Sequence, residues 1–121
     1  MALTRGKLTN IVTVDGNGTS TGVGETVGIL TVASSKKVYI KCIMAMAQPG
    51  IAVTGEAHVY IVPNGGSVTR NNQIFNFDVQ AGETVLMEPS YPIVLDTTGD
   101  SLRVGAASTY INFFVTGDKE A

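Results

Sequence analysis

Val38-Tyr39-Ile40-Lys41-Cys42-Ile43-Met44-Ala45-Met46-Ala47 is the stretch on which the reading of the fold turns. It is mostly apolar and holds one charge, Lys41. A strand sends successive side chains to opposite faces. Strict alternation puts Val38, Ile40, Cys42, Met44 and Met46 on one face, and Tyr39, Lys41, Ile43, Ala45 and Ala47 on the other. Both faces are apolar, so the segment reads as a central strand. Gln48-Pro49-Gly50 ends it with turn chemistry.

The same period of two recurs on either side. Upstream, residues 7–14 form a first strand with Leu8, Val12 and Val14 toward one face. Asp15-Gly16-Asn17-Gly18 and Thr19-Ser20-Thr21-Gly22 break it. Residues 25–32 are a second strand, followed by a polar turn over 33–36. Downstream, residues 53–62 set Ala57, Val59 and Ile61 opposite Glu56, His58 and Tyr60. Pro63-Asn64-Gly65-Gly66 is a turn, and 67–72 a polar loop. Residues 73–79 carry Phe75, Phe77 and Val79 on one side, with Asn76 and Asp78 on the other. Ala81-Gly82-Glu83 leads into a strand over 84–88. Pro89-Ser90-Tyr91-Pro92 precedes a short strand over 93–95, since proline fits a strand start or an edge. Residues 101–106 and 109–116 are the last strands, the final one burying Ile111, Phe113 and Val115.

No stretch shows helical i, i+3, i+4 apolar spacing over ten residues. Strands at ~8–12-residue spacing between turn signals mark an all-β sandwich or barrel. The expectation is an all-β, two-sheet antiparallel sandwich, jelly-roll-like, of eight or nine strands. It is expected to be one domain over 1–121, with 1–6 an N-terminal arm and 118–121 a short charged tail.

Composition narrows the function. The chain has 121 residues, net charge −2, 15% charged residues and 44% hydrophobic residues. That is enough apolar material for one core. Its eight Lys and Arg make no run longer than Lys36-Lys37, so no basic stripe points to nucleic acid. No apolar run approaches the ~20 residues of a membrane helix. The N-terminus shows no apolar core of a signal peptide, which implies synthesis in a cytoplasm without export by such a signal. Cys42 is alone, so no intrachain disulfide forms.

Few residues carry chemistry. His58 is the only histidine, with Glu56 and Tyr60 two residues to either side on the same strand face. The three form a small polar cluster or simply a polar strand face, and no further partner for a catalytic arrangement is visible. Cys42 lies among Ile40 and Met44, an apolar setting that suits burial and not a reactive thiolate. Asp15-Gly16-Asn17-Gly18-Thr19 has alternating oxygens, but Ser20 and Thr26 stand where a calcium loop needs Gly and Glu, so it reads as a turn. Asn17-Gly18-Thr19 matches a glycosylation acceptor, which means little without a secretory signal. Asp96 and Asp100 flank Thr97-Thr98-Gly99 and read as turn caps. One Cys and one His cannot build a zinc site. No metal, no cofactor and no catalytic residue is expected.

The last strand is more informative. Tyr110 and Phe114 alternate with Ile111, Phe113 and Val115. With Tyr39 and Ile43 they put apolar side chains on outer sheet faces, and exposed apolar patches mark partner surfaces. Tyr39, Ile43, Tyr110 and Phe114 are therefore the interface candidates. Arg70, Asn71 and Asn72, in the polar loop, are the candidates for a binding loop such as one that takes carbohydrate.

The order of these signals resembles that of the small β-sandwich virion proteins of tailed bacteriophages. The carrying stretches are Ile29-Leu30-Thr31-Val32-Ala33-Ser34-Ser35-Lys36-Lys37, His58-Val59-Tyr60-Ile61-Val62-Pro63-Asn64-Gly65-Gly66 and Val79-Gln80-Ala81-Gly82-Glu83-Thr84. Leu95-Asp96-Thr97-Thr98-Gly99-Asp100-Ser101-Leu102-Arg103-Val104 and the closing Thr116-Gly117 complete the series. The resemblance spans roughly residues 25–118 and consists of turn chemistry and alternation. The chain departs from it at Ala33-Ser34, where such proteins usually carry Pro-Ala-Gly.

The resemblance implies a non-enzymatic virion protein, either a capsid decoration or cement subunit or a neck, tail or fibre component. Its partners would be the major capsid protein or other virion proteins, and further copies of itself. A trimer would suit a capsid's local three-fold axes. A carbohydrate- or host-surface-binding module on the same fold is the other reading.

Overall fold

The computed structural model describes residues 3–15, 25–34, 36–50 and 54–120. Ten strands run in chain order as β1 (Leu3–Lys7), β2 (Val12–Asp15), β3 (Glu25–Thr31), β4 (Val38–Ala47) and β5 (Thr54–Val62), then β6 (Gln73–Gln80), β7 (Thr84–Met87), β8 (Ile93–Leu95), β9 (Ser101–Ala107) and β10 (Tyr110–Glu120). A single 3-10 turn, Arg70–Asn72, is the one helical element among the described residues. None of these residues forms a helix long and apolar enough to cross a membrane.

The larger sheet has the order β1-β10-β4-β7. In it β2 takes the rest of the outer edge of β10, and β8 the rest of the edge of β4. The smaller sheet has the order β3-β9-β5-β6. Every pairing is antiparallel. The pairs nest, with β2 on β10, β3 on β9, β4 on β7 and β8, and β5 on β6. A long hairpin rolled into two sheets gives this nesting, which is the jelly-roll form of the β-sandwich. The all-β, two-sheet antiparallel sandwich read from the sequence is therefore the observed fold, with ten strands in place of eight or nine.

The core lies between the sheets. The larger sheet supplies Val14, Val38, Ile40, Ile43, Ala45, Ala47, Ile111, Phe113 and Val115. The smaller supplies Ala57, Val59, Val79, Leu102, Val104 and Ala106, with Phe75 and Phe77 partly buried. Fully burying each Val, Ile, Leu or Phe contributes about 1.5–3 kcal/mol.

Three expectations about elements are corrected. The first strand, read over 7–14, is two strands, because residues 8–11 leave the ladder. The gap is stitched by Leu8 N–H to the Val115 carbonyl at 2.8 Å and Val115 N–H to Thr9 Oγ1 at 3.3 Å. Residues 1–6 were expected as an arm, yet Leu3 to Gly6 pair with Glu120 to Gly117 of the same chain. Residues 118–121 were expected as a charged tail, yet β10 runs through Glu120. Asp118 and Glu120 are buried there, and Glu120 Oε1 accepts the Lys37 N–H at 2.7 Å. The Asp15-to-Thr19 turn, Asn17 and the turn at Thr19 to Gly22 lie largely outside the described residues.

The alternation along β4 is also corrected, and this bears on the site. Cys42 pairs with Thr116 and Ile40 with Gly117, so Lys41 is an extra residue in the ladder. Such a bulge inverts the inside-outside phase of everything beyond it. Val38 and Ile40 face the core before the bulge, and Ile43, Ala45 and Ala47 face it after. Cys42, Met44 and Met46 turn outward. Gly117 is where the chains close up, since a Cβ there would collide with the Tyr39 carbonyl oxygen. At the smaller sheet's end, the turn at Pro63 to Gly66 closes through Gly66 N–H to the Pro63 carbonyl at 2.8 Å, with Gly65 at φ 78°. This positive φ is the conformation that favours glycine.

Candidate functional site

The outer face of the larger sheet is built of transverse rows, one residue per strand. Paired residues in neighbouring strands point the same way. In one row Phe114 of β10 pairs with Met44 of β4, which pairs with Leu86 of β7. Ile11 extends this row, because it precedes Val12, the partner of Phe113, and lines the same groove as Phe114. Ile11 is 68% exposed and Leu86 53%, with Met44 and Phe114 half-buried between them. Next along, Thr13, Asn112, Met46 and Thr84 form a row by the same pairings. Thr13 Oγ1 donates to Asn112 Oδ1 at 2.7 Å, and Gln48 Nε2 donates to the same oxygen at 3.0 Å. The amide is thus held in place beside a shallow groove of about 260 Å³ lined by Ile11, Met44, Met46, Thr84, Asn112 and Phe114.

On the other side of the apolar row lie Lys7, Thr116 and Cys42. Burial pushes the Cys42 thiol above its ordinary range, with the charge of Glu88 adding to the rise. Glu88 follows Met87, the partner of Ile43, and so stands beside Cys42 at the far edge of this row. The row beyond is Arg5, Asp118, Tyr39 and Val94. Lys41 Nζ lies 2.8 Å from Asp118 Oδ2, and Arg5 Nε 3.4 Å from Oδ1. The hydrogen bond from Lys41 holds the Asp118 carboxyl below the ordinary carboxylate range, with the charges of Lys41 and Arg5 adding to it against the opposing effect of burial.

Of the four interface candidates, Tyr39, Tyr110 and Phe114 are half-buried on this outer face. Ile43 is not there: the bulge at Lys41 turns it into the core, where it is fully buried. Sequence reasoning missed Ile11, Met44, Met46 and Leu86. Met44 and Met46 were assigned to the wrong face by unbroken alternation. The extra residue is the run's one charge, Lys41, which alternation alone does not distinguish from a Lys on a half-exposed face.

The smaller sheet presents different chemistry on its outer face. Glu56, His58 and Tyr60 do come together. His58 Nε2 lies 3.4 Å from Glu56 Oε1, and His58 Nδ1 lies 3.3 Å from the Tyr60 hydroxyl, the two rings edge to face. The Glu56 carboxylate accepts from Nε2, and Nδ1 shares a hydrogen bond with the Tyr60 hydroxyl. Gln73 Nε2 donates to the Tyr60 oxygen at 3.4 Å. His58 is 4% exposed and Tyr60 0%, although both point away from the core between the sheets. The 3-10 turn packs on β5. Arg103 of β9, opposite Tyr60, extends over Gly28, where a Cβ would lie 3.4 Å from its Nη1. Burial pushes the Tyr60 hydroxyl above its ordinary range, against the lesser opposing effects of the Arg70 charge and the Gln73 hydrogen bond. This chain of hydrogen bonds, buried at His58 and Tyr60 and open at Glu56, joins β5 to β6.

The loop candidates sit in the 3-10 turn. Arg70 and Asn71 are exposed, while Asn72 Nδ2 donates to the Ser67 carbonyl at 2.6 Å and shapes the loop. Asp100, expected to cap the turn it flanks, reaches the Pro63-to-Gly66 turn instead, its Oδ1 accepting the Asn64 N–H at 3.0 Å. Asp96 Oδ1 accepts from Thr97 Oγ1 at 3.4 Å. Among the described residues no group of three His, Cys, Asp or Glu side chains could hold a metal ion.

No protein-family model and no curated protein matches the chain. Solved structures do match in fold. The chain superposes on a structure of the T13 particle of infectious bursal disease virus with a TM-score of 0.51 at 9% identity, covering 98% of this chain and 30% of that one. The VP2 subviral particle of the same virus gives a TM-score of 0.38 at 12% identity, covering 91% and 32%. The chain thus spans about a third of the length of these structures. With the first of these, the likeness is one of fold alone.

Proposed function

We propose that this chain is a non-enzymatic structural subunit of a virion. In this reading it is a capsid decoration or cement protein of a tailed bacteriophage that packs on the head shell and stabilises it. The observation that carries the reading is the exposed apolar row of Ile11, Phe114, Met44 and Leu86 on the outer face of a jelly-roll sandwich. A monomer in water has little use for an uncharged apolar stripe across a whole sheet. A subunit that packs against neighbours needs one. The fold shared with the infectious bursal disease virus particle supports the same role. The partners are then the major capsid protein or other virion proteins, and further copies of the chain, with a trimer suiting a local three-fold axis of a shell. The virion is the place of action.

The test is co-sedimentation of the purified protein with virus-like capsids, with wild type and Phe114→Asp compared. Binding at a fixed stoichiometry that Phe114→Asp loses supports the reading. A protein that ignores capsids removes the decoration role and leaves a tail, neck or fibre position.

The exposed Arg70 and Asn71 on a loop shaped by Asn72 favour a second reading, a carbohydrate- or host-surface-binding module. A glycan array with no signal at high protein concentration eliminates it.

A further inference from the structure

Four rows of the larger sheet's outer face share one property. Each can be turned end for end without placing like charges together. The apolar row reads Ile11, Phe114, Met44, Leu86, and in reverse it sets Ile11 on Leu86 and Phe114 on Met44. The row Thr13, Asn112, Met46, Thr84 reverses with neutral polar groups on neutral polar groups or on Met46. The row Lys7, Thr116, Cys42, Glu88 reverses with an amine on a carboxylate at both ends. In the row Arg5, Asp118, Tyr39, Val94, the Asp118 carboxylate is already neutralised by Arg5 and Lys41, so it brings no repulsion.

We propose that this face is the contact between two copies of the chain. They pack sheet to sheet about a two-fold axis that runs along the strands between β10 and β4. This names a partner for the surface on which the proposed function rests. A two-fold axis makes a contact isologous, so the surface must be complementary to itself. Here the apolar row fills the centre, and Lys7 meets Glu88 of the second copy at each edge. Both Lys7 and Glu88 are exposed. Four strands at ~4.8 Å spacing and eight steps of ~3.4 Å from Tyr110 to Asp118 give a face of roughly 500 Å² per copy. A total of about 1,000 Å² is the low end for a specific contact, so association is expected in the micromolar range.

The experiment is sedimentation equilibrium of the full chain over a range of concentrations, for wild type, Lys7→Glu, Glu88→Lys and the double swap. Wild type is expected to reach twice the 12.6 kDa chain mass, or six times it where a three-fold contact through other edges adds to the pair. Each single swap sets two like-charge pairs against each other and weakens association about 5–10-fold, while the double swap returns within about twofold of wild type. Phe114→Asp, checked for folding by circular dichroism, abolishes the pair. A monomer throughout, a trimer that ignores the swaps, or a double swap as weak as the singles overturns the proposal. Capsid co-sedimentation separates the two readings. A monomer that binds capsids through Phe114 overturns the pairing and keeps the virion role. A pair that ignores capsids, with the swaps behaving as stated, keeps the pairing and removes that role.

Discussion

The two outer faces of the sandwich are made from equally regular strands, yet they end in opposite states. On the larger sheet, Ile11, Met44, Phe114 and Leu86 are apolar and left in contact with water. On the smaller, Glu56, His58, Tyr60 and Gln73 are polar, and His58 and Tyr60 are sealed. An apolar side chain left exposed gains by meeting another surface. A polar side chain that is buried must find its partners inside the chain. The first face is consequently suited to contact, and the second to internal order.

The sharpest way to break this comparison is to attack the bulge that sets the first face. Ile43→Asp should prevent folding, since a lone buried charge costs more than about 4 kcal/mol, whereas Met44→Asp should fold. Circular dichroism of the two variants reads the outcome. The reverse result would mean that β4 keeps strict alternation and that the contact face is misassigned.

The next largest effect tests the second face. Tyr60→Ala should cost about 3–5 kcal/mol in urea unfolding, as expected for a fully buried aromatic. Phe114→Ala should cost less than about half as much, because its side chain already meets water. Tyr60→Phe is the finer cut. Removing the hydroxyl leaves His58 Nδ1 without its hydrogen-bond partner and should cost about 1–3 kcal/mol. A neutral Tyr60→Phe would show that packing alone holds that face.

Smaller effects come from titration. The Asp118 carboxyl is held below its ordinary range in the folded chain, so its contribution is present at neutral pH. It fades as pH falls below about 4, the unfolded value, and through the folded one. Asp118→Asn should flatten stability against pH in that acid window and leave the slope near pH 7 unchanged. The smallest expected effect is at Cys42, whose raised pKa keeps it a thiol near neutrality. Iodoacetamide should label it more slowly at pH 7 than it labels a free cysteine peptide.

Much of the fold is legible in the residues. The bounds of β4 and β8 follow from apolar runs flanked by Pro, Gly and polar turns, and the inward set Ile111, Phe113 and Val115 from alternation. The Glu56, His58 and Tyr60 cluster is legible too, because residues two apart on a strand share a face. The candidate contact face is only partly so. Tyr39, Tyr110 and Phe114 are readable, but Ile43 is exchanged for Met44 by one extra residue at Lys41. The run's one charge, Lys41, falls at the change of phase, but a lone Lys does not announce a bulge, and either phase of the residues beyond it buries apolar side chains equally well.

The sequence by itself determined the class of this protein: an all-β sandwich, low in charge, with its apolar residues at period two. That follows from local geometry, since alternation and turn chemistry act within a few residues. Only the tertiary structure decided which side of each strand meets water. Pairing partners far apart in the chain set the bulge opposite Thr116 and Gly117, bring β1 onto the end of β10, and line up Ile11, Phe114, Met44 and Leu86 across the sheet. Register is a long-range property, and the face proposed for contact is read from register.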